Sequence, residues 1–298
     1  MPKRSRASQR QTTTSNTYRF FVETGTIHGR DVLIEDGELS HQILTVLRLR
    51  AGEHVVMLDN CGWQYVVALA EIERGRVTGR IERKELAGGE PRTKITLYAA
   101  LMRPERFEWI LQKGTELGVS AFVPLICERS TIADADALSE HRQERWRRII
   151  REAAEQSRRG KLPRLAPAVL FPAACDQAAQ RGTALLLWEG SGVPSLRKIL
   201  REPDTAVAPQ ETKIEDRGSK IEDRDVHPRS SILDPPSSGH PFSVALFSGP
   251  EGGFSAGEFA TALRYGMIAV TLGPRTLRAE TAPLVATSAI LYEMGDLE

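Results

Sequence analysis

The sequence predicts an α/β protein, with a small β-rich domain followed by an alternating domain built on a parallel sheet. Short β-rich runs separated by Gly, Asp and Asn occupy residues 18–88. From residue 92 onward strand-like and helix-like segments alternate, which is typical of a parallel sheet covered on both faces. Two glycine-bearing loops, at 247–254 and 272–282, each follow an apolar run. Because ligands of open α/β sheets bind at the carboxyl ends of strands, these loops indicate a small-molecule site.

The composition is that of a soluble globular protein, with 41% hydrophobic and 27% charged residues among 298. No apolar run is long enough to span a membrane, so we expect a cytoplasmic protein without a membrane partner. Cys61, Cys127 and Cys175 are isolated and lack the spacing of a metal site or a disulfide framework. They are expected to be buried reduced thiols, and no metal is expected.

Two segments are too polar to belong to a packed core. Residues 1–17 carry basic but no acidic residues and are predicted to form a disordered tail, or alternatively a basic arm that contacts nucleic acid. Residues 202–241 contain the repeat Lys213–Arg217 and Lys220–Arg224, followed by a Pro- and Ser-rich stretch. They are predicted to be a disordered insertion between two strands, since lengthening a surface loop costs little. A partner-binding role for this insertion is the alternative.

The N-terminal part alternates strand-like runs with turn signals, and a helical pattern at 42–50 interrupts it. Residues 59–62 are a turn signal between two strands, and residues 86–91 are typical of a linker. A small β-barrel over residues 18–88 follows from this pattern. The expected strands cover residues 19–22, 54–58, 65–69 and 76–81.

In the C-terminal part, apolar residues at helical spacing predict a helix that begins at Pro104. A later helix carries Trp146 on its apolar face, and both Trp109 and Trp146 are expected in the core. The last helix is expected to follow the second loop from a cap at Thr281. The expected strands cover residues 94–101, 121–126, 184–188, 243–247 and 267–272.

The first loop favours close approach of the backbone to a ligand, because Gly249, Gly252 and Gly253 tolerate positive φ. Ser255 and Glu258 have the spacing of a capping box for the next helix. The loop lacks the Lys-Ser/Thr pair of a P-loop. A phosphate cradle and a plain strand-to-helix turn are therefore both open.

The second loop turns sharply at Gly273-Pro274 and then presents Arg275 and Arg278. A single arginine in a loop is usually a solvated residue. Two arginines beside a glycine-bearing turn favour a binding role.

Motifs outside the loops add a family resemblance. The first is Gln112-Lys-Gly-Thr-Glu-Leu-Gly-Val119, and the second is Glu155-Gln-Ser-Arg-Arg159. Together with the two loops, they resemble the knotted SPOUT methyltransferases, and more narrowly the bacterial 16S rRNA uridine-N3 methyltransferases, the RsmE family. The resemblance covers residues 18–200 and 242–298. Arg158 stands where the family usually has Gly, so the local turn is expected to differ.

The resemblance implies a PUA-like, RNA-binding β-barrel over residues 18–88 and a SPOUT domain over residues 92–298 whose C-terminal segment forms a trefoil knot. It also implies S-adenosylmethionine as methyl donor, a homodimer formed through the SPOUT domain, and 16S rRNA of the 30S subunit as partner. The implied activity is methylation of uridine N3. A SPOUT enzyme acting on another RNA site, such as a tRNA ribose 2′-hydroxyl, and a non-catalytic RNA-binding assembly factor are the alternatives.

The candidate site residues fall into three groups. An arginine aimed at O2 and O4 would favour the ionised uracil, so Arg278 is the first catalytic candidate and Arg275 the second. Glu280 is a candidate general base, although capping or pairing with Arg278 is equally open. The residues expected to bind the cofactor are Gly249, Pro250, Glu251, Gly252, Leu272, Gly273, Leu277 and Arg278. The residues expected to bind RNA are Arg103, which replaces a common Lys, Arg106, Lys113, Arg129 and Arg159.

Overall fold

The computed structural model describes residues 17–130, 139–180, 182–201 and 243–297. The tail predicted at 1–17, apart from Thr17, and the insertion predicted at 202–241 lie outside the described residues. The chain divides into two compact units, Met1–Gly88 and Gly89–Glu298. Each helix of the described part is too short or too polar to cross a membrane.

The N-terminal unit is built on one six-stranded sheet. Its strands are β1 (Arg19–Phe21), β2 (Ile27–His28), β3 (Asp31–Ile34), β4 (His54–Leu58), β5 (Trp63–Glu73) and β6 (Arg76–Leu86). The order in the sheet is β1-β4-β5-β6-β3-β2, and neighbours are antiparallel except β1 and β4. Alternate residues face one apolar core, which includes Phe20, Val55, Met57 and Val67.

The helix predicted at 42–50 begins earlier in the chain than expected. α1 spans Gly37–His41, and a π-helical segment, Gln42–Val46, continues it. Asp36 fixes the start, because its Oδ1 accepts a hydrogen bond of 2.8 Å from the backbone N–H of Glu38. The Asp36-Gly37 pair is also typical of a turn, so the sequence pattern does not identify it as the start of a helix.

The C-terminal unit alternates strands and helices around a seven-stranded sheet. The strands are β7 (Lys94–Ala100), β8 (Ala121–Ile126), β9 (Arg164–Leu165), β10 (Val169–Leu170), β11 (Thr183–Leu187), β12 (Ser243–Ser248) and β13 (Ile268–Val270). The helices are α2 (Pro104–Leu117), α3 (Glu140–Gln156), α4 (Phe171–Ala179), α5 (Leu196–Arg201), α6 (Ala256–Arg264) and α7 (Ala282–Glu293). The sheet order is β10-β8-β7-β12-β11-β13, with β9 also pairing with β8, and every pairing is parallel. The parallel sheet expected from the alternating pattern is confirmed.

Helices cover both faces of this sheet, and successive strand residues supply the two cores. Leu97 of β7 belongs to the core under α2, α3, α5 and α7. Its neighbour Tyr98 belongs to the opposite core, under α4 and α6, where its ring stacks on Phe247 with centroids 4.3 Å apart. Burial on both faces explains why these strands are apolar throughout and do not alternate with polar residues.

The two tryptophans of α2 and α3 have different environments. Trp146 is buried, as expected, with its ring centroid 4.7 Å from that of Phe107. The prediction that Trp109 lies in the core is wrong, because 49% of this residue is exposed. Trp109 lies on the outer face of α2, where the ammonium group of Lys113 stands 5.2 Å from its ring centroid.

The three cysteines are free, and two of them are buried as expected. Burial raises the pKa of the Cys175 thiol to about 12, with a further contribution from the Glu258 carboxylate. Burial also raises the pKa of Cys127 well above its usual value, and the negative charge of Glu258 adds a smaller contribution. The prediction fails for Cys61, which is exposed beside the turn after β4.

Candidate functional site

A cleft of about 490 Å³ opens at the carboxyl ends of β11, β12 and β13. The strand order places β11 between β12 and β13, so the loops that follow β12 and β13 flank the end of β11. The two loops singled out in the sequence therefore lie on opposite sides of one cleft. The residues that line it are 106, 187–189, 248–251, 253, 254, 270–279 and 282.

The first loop forms one wall through backbone that only small residues permit. Gly253 has φ +66°, and a Cβ atom at this position would lie 2.7 Å from Oε1 of Glu189. A Cβ at Gly249 would lie 3.2 Å from the ring of Phe254. The backbone N–H of Gly253 donates to the carbonyl of Pro250 at 2.9 Å, which closes the turn. Bare backbone is thus exposed to the cleft along this wall.

A capping box ends the first loop, as the spacing predicted. Ser255 Oγ accepts from the backbone N–H of Glu258, and the Glu258 carboxylate accepts from the backbone N–H of Ser255. The other carboxylate oxygen of Glu258 accepts from the backbone N–H of Glu128 at 2.9 Å. One buried side chain therefore anchors the loop both to α6 and to the segment after β8.

The second loop forms the opposite wall and turns at Gly273, whose φ is +114°. Thr281 occupies the N-cap position of α7 but makes no side-chain capping hydrogen bond, so the predicted cap is wrong in its chemistry. The turn is closed by the backbone instead, because the N–H of Thr281 donates to the carbonyl of Arg278 at 2.9 Å. Pro283 stands in the first turn of α7, where its missing N–H costs nothing.

The end of β11 supplies a floor that the sequence analysis missed. Trp188 donates its backbone N–H to the carbonyl of Val270 at 2.9 Å and packs its ring on Phe259, with centroids 4.3 Å apart. This anchoring directs the following residue, Glu189, toward the first loop. The sequence feature that could have indicated Glu189 is the Glu189-Gly190 pair directly after a buried strand. Without the strand order, nothing in the sequence places that pair beside the two loops.

The predicted cofactor residues converge on the cleft, with one exception. Gly249, Pro250, Glu251, Leu272, Gly273, Leu277 and Arg278 all line it. Gly252 does not line the cleft. It lies against the side chain of Arg129, whose Nη1 donates to the Gly252 carbonyl at 2.9 Å. Arg129, proposed above as an RNA contact, thus supports the back of the first loop.

Arg275 and Arg278 both line the cleft and are exposed. Within the described part of the chain, no carboxylate lies within 4.0 Å of either guanidinium. Their positive charges therefore face the cleft and the solvent above it without local neutralisation.

Glu280 does not pair with Arg278. Its Oε2 lies 3.9 Å from Nη1 of Arg106, the side chain that also reaches Oε1 of Glu251 at 3.3 Å. The Glu280 side chain is only 14% exposed and does not line the cleft. The position of Glu280 therefore gives no support to its candidacy as a general base.

The remaining RNA candidates differ sharply in exposure. Arg103 is exposed at the N-cap position of α2. Lys113 is partly exposed on the same helix and pairs with Glu116 at 2.8 Å. The prediction that Arg159 contacts RNA is wrong, because its side chain is 3% exposed and its donors are used by Glu90 and by backbone carbonyls.

Among the described residues, no group of three His, Cys, Asp or Glu side chains converges as a metal site would require. Beside backbone amides, the polar side chains of the cleft are three arginines, two glutamates and three hydroxyl residues: Arg106, Arg275, Arg278, Glu189, Glu251, Ser248, Thr271 and Thr276. Such a set suits an organic ligand with hydroxyl, amine and heteroaromatic groups.

Comparisons with known proteins show which family the chain resembles. A profile of the family described as RNA methyltransferase domain matches residues 89–213 and 221–291. Ribosomal RNA small subunit methyltransferase E of Synechocystis sp. is 31% identical over 274 residues, which cover 92% of this chain and 77% of the relative.

Solved structures are similar over nearly the whole chain. A putative methyltransferase from Legionella pneumophila, in complex with its bound cofactor SAM, has a TM-score of 0.73 at 25% identity and covers 93% of this chain and 98% of its own. Ribosomal RNA small subunit methyltransferase E from Neisseria gonorrhoeae, bound to S-adenosyl methionine, has a TM-score of 0.69 at 27% identity, with the same coverage of 93% and 98%. The predicted fold class, an α/β SPOUT domain after a small PUA-like domain, is confirmed.

Proposed function

The chain belongs to the RNA methyltransferase family, and from that premise we propose that it methylates N3 of a specific uridine in 16S rRNA, with S-adenosylmethionine as methyl donor. One observation carries the proposal. The loops after β12 and β13, on either side of β11, enclose a cleft of small-molecule size, and the second loop presents two arginines without a carboxylate partner in the described part of the chain.

The residues of the cleft fit the cofactor. Gly249 and Gly253 leave backbone bare where a side chain would intrude, so main-chain amide and carbonyl groups of the first loop are available to a purine. Leu272 and Leu277 offer apolar contact for the purine faces. The carboxylate of Glu189 matches the hydroxyl and amino groups that such a ligand carries. When bound, S-adenosylmethionine supplies the electrophilic methyl group together with its own leaving group.

The protein's part in the reaction is to prepare the nucleophile. Uridine N3 carries a proton, and its lone pair becomes a good nucleophile only when that proton leaves. The negative charge then spreads over O2 and O4. A guanidinium facing those oxygens stabilises the ionised base. Arg278 is proposed for this role, with Arg275 beside it on the same loop.

No side chain of the described cleft is assigned as general base. Glu189 and Glu251 are the carboxylates that line it. Glu251 is already engaged by Arg106. Lowering the pKa of N3 through the arginines lets solvent take the proton, so the mechanism does not need a dedicated base.

The substrate must present an unstacked base, because a paired uridine hides N3 in the helix. We propose that cations of α2, among them the exposed Arg103 and the partly exposed Lys113, hold the surrounding RNA backbone. The resemblance to the RsmE family supports a homodimer formed through the C-terminal unit, a PUA-like N-terminal unit that contacts RNA, the 30S subunit as partner and a cytoplasmic location.

Mapping of 16S rRNA by mass spectrometry tests the proposal. A strain without this gene should lack one N3-methyluridine, and the wild-type gene should restore it. An unchanged 16S rRNA together with a missing methyl group in tRNA would transfer the activity to another RNA. Calorimetry with S-adenosylmethionine addresses the remaining alternative, since a protein that does not bind the cofactor is an RNA-binding factor and not an enzyme.

A further inference from the structure

We infer that Arg106 is a positioning residue that ties the two loops of the cleft together, and that it is not an RNA contact. The inference rests on the proposed function, because it assigns Arg106 to the cofactor pocket. Arg106 lies in the first turn of α2, which Pro104 opens, and its side chain enters the cleft from outside both loops.

The geometry joins three separate segments of the chain. Nη1 of Arg106 donates to Oε1 of Glu251 in the first loop at 3.3 Å. The same nitrogen lies 3.9 Å from Oε2 of Glu280, at the end of the second loop. One guanidinium on a helix therefore faces a carboxylate from each wall of the cleft.

Glu280 depends on this contact for charge compensation. Its Oε2 atom is buried and accepts no hydrogen bond from the described residues. Arg106 is the cation that those residues place within 4.0 Å of it. A desolvated carboxylate without a cation is unfavourable, so loss of Arg106 should push Glu280 toward solvent and displace the loop that carries it.

Charge balance argues against an RNA contact at this position. Two carboxylates, those of Glu251 and Glu280, face the guanidinium of Arg106. Their negative charges oppose the attraction of Arg106 for a phosphate. The exposed Arg103, on the same helix, has no such neighbours among the described residues and suits that role better.

The chemistry of the side chain also matters. A guanidinium presents several N–H donors in a flat fork and can face two acceptors at once, whereas an ammonium is a compact point charge. We therefore expect Arg106→Lys to retain only part of the function. Arg106→Met, which keeps the length but removes the charge, should lose it.

Hydrogen exchange measured on the full-length protein without cofactor tests the tie directly. In Arg106→Met, amides of residues 249–255 and 272–281 should exchange faster than in the wild type. Arg145→Met is the matched control, because Arg145 also pairs with a glutamate, Glu108 at 2.6 Å, but lies away from the cleft. It should leave both loops unchanged.

Calorimetry with S-adenosylmethionine gives the second readout. Arg106→Met should weaken cofactor binding about tenfold or more, with Arg106→Lys in between. Glu280→Gln should weaken cofactor binding less in the Arg106→Met variant than in the wild type. In that variant the substitution also removes a carboxylate that has lost its cation. Circular dichroism identifies a variant that fails to fold, and Arg106→Lys then carries the test.

Unchanged loop exchange and cofactor affinity in Arg106→Met, together with weaker RNA binding and a shallower salt dependence, would overturn the inference in favour of a phosphate contact. If the wild type itself does not bind S-adenosylmethionine, the proposed function fails. The exchange measurement still decides in that case whether Arg106 joins the loops.

Discussion

Arg159 and Glu90 form a bidentate ion pair in the interior of the C-terminal unit. Nη2 of Arg159 lies 2.7 Å from Oε2 of Glu90, and Nε lies 3.1 Å from Oε1. The remaining guanidinium nitrogen, Nη1, donates to the carbonyls of Thr115 and Val119, at 3.1 and 2.6 Å. The pair thus joins the segment before β7, the end of α2 and the loop after α3.

Replacing Arg159 with Met should lower the free energy of unfolding by about 3–5 kcal/mol, because a mostly buried Glu90 would lose its cation and two carbonyls would each lose a charged donor. Urea denaturation followed by circular dichroism measures this loss. Arg145→Met, which removes an exposed arginine with a similar bidentate partner, should cost much less, because solvent screens an exposed ion pair. Equal losses of unfolding free energy in the two variants would mean that burial does not make the Arg159 pair more important for stability than an exposed pair.

Glycine should be required at one position of the first loop and dispensable at its neighbour. Gly253→Ala places a Cβ in the left-handed region and 2.7 Å from a Glu189 oxygen. This strain should cost about 1–2 kcal/mol of folding stability. A Cβ at Gly252 would make only ordinary contacts, at 3.5 Å from Arg129. Gly252→Ala should therefore stay within about 0.5 kcal/mol of the wild type in the same urea titration.

The two loops are recognisable in the sequence, but the reason that they meet is not. Each loop follows a recognisable apolar strand, and alternation with helices implies that all strand ends lie at one edge of the sheet. Which strands are neighbours is decided by long-range packing. The insertion of β11 between β12 and β13 is what brings Glu189 into the cleft, and no local signal encodes that order.

The same limit applies to charged residues. Arg106, Arg129 and Arg159 all looked like surface cations, since an arginine is usually solvated. Each is instead engaged by a partner far away in the sequence: Glu251 for Arg106, the Gly252 carbonyl for Arg129 and Glu90 for Arg159. The sequence shows where positive charge occurs, but not which arginines are held by partners that lie far away in the chain.

The cysteines should differ in reactivity toward thiol reagents. Cys61 is exposed and should react with iodoacetamide in the native protein at pH 8. Burial raises the pKa of Cys175 to about 12, and Cys127 is shifted in the same direction, so both stay protonated and shielded. Mass spectrometry should show one label before denaturation and three after it. Rapid native labelling of Cys127 or Cys175 would contradict the burial described here.

Arg158 holds a backbone conformation that favours glycine, with φ of 61°. The sequence predicted a different local turn here, because Arg158 stands where the family usually has Gly. In the structure, this arginine occupies the left-handed region. Left-handed backbone costs a non-glycine residue about 1–2 kcal/mol, and glycine loses part of that advantage through its greater freedom in the unfolded chain. We expect Arg158→Gly to raise the free energy of unfolding by up to about 1 kcal/mol.

Arg158→Ala separates the backbone effect from the side chain, because alanine keeps the strain and removes the guanidinium. It should be no more stable than the wild type in a urea titration. If Arg158→Gly and Arg158→Ala are equally destabilised, the side-chain interactions of Arg158 outweigh the strain.

Arg278 should separate chemistry from cofactor binding. Its guanidinium lines the cleft and has no carboxylate within 4.0 Å among the described residues, so Arg278→Ala should leave the affinity for S-adenosylmethionine within a few-fold. Turnover on small-subunit RNA should fall about 100-fold or more, because the ionised uracil loses its cation. Arg264→Ala, at the exposed end of α6 and outside the cleft, is the matched control.

The pH dependence of turnover shows whether the cation acts on the nucleophile. A nearby positive charge lowers the pKa of uridine N3, so its removal must raise that pKa. In Arg278→Ala the rate should therefore continue to rise at pH values where the wild type has levelled off. A uniformly lower rate with an unchanged profile would make Arg278 a residue that positions the RNA. Loss of cofactor binding would instead assign it to the S-adenosylmethionine site, because the turnover defect would then follow from the empty cleft.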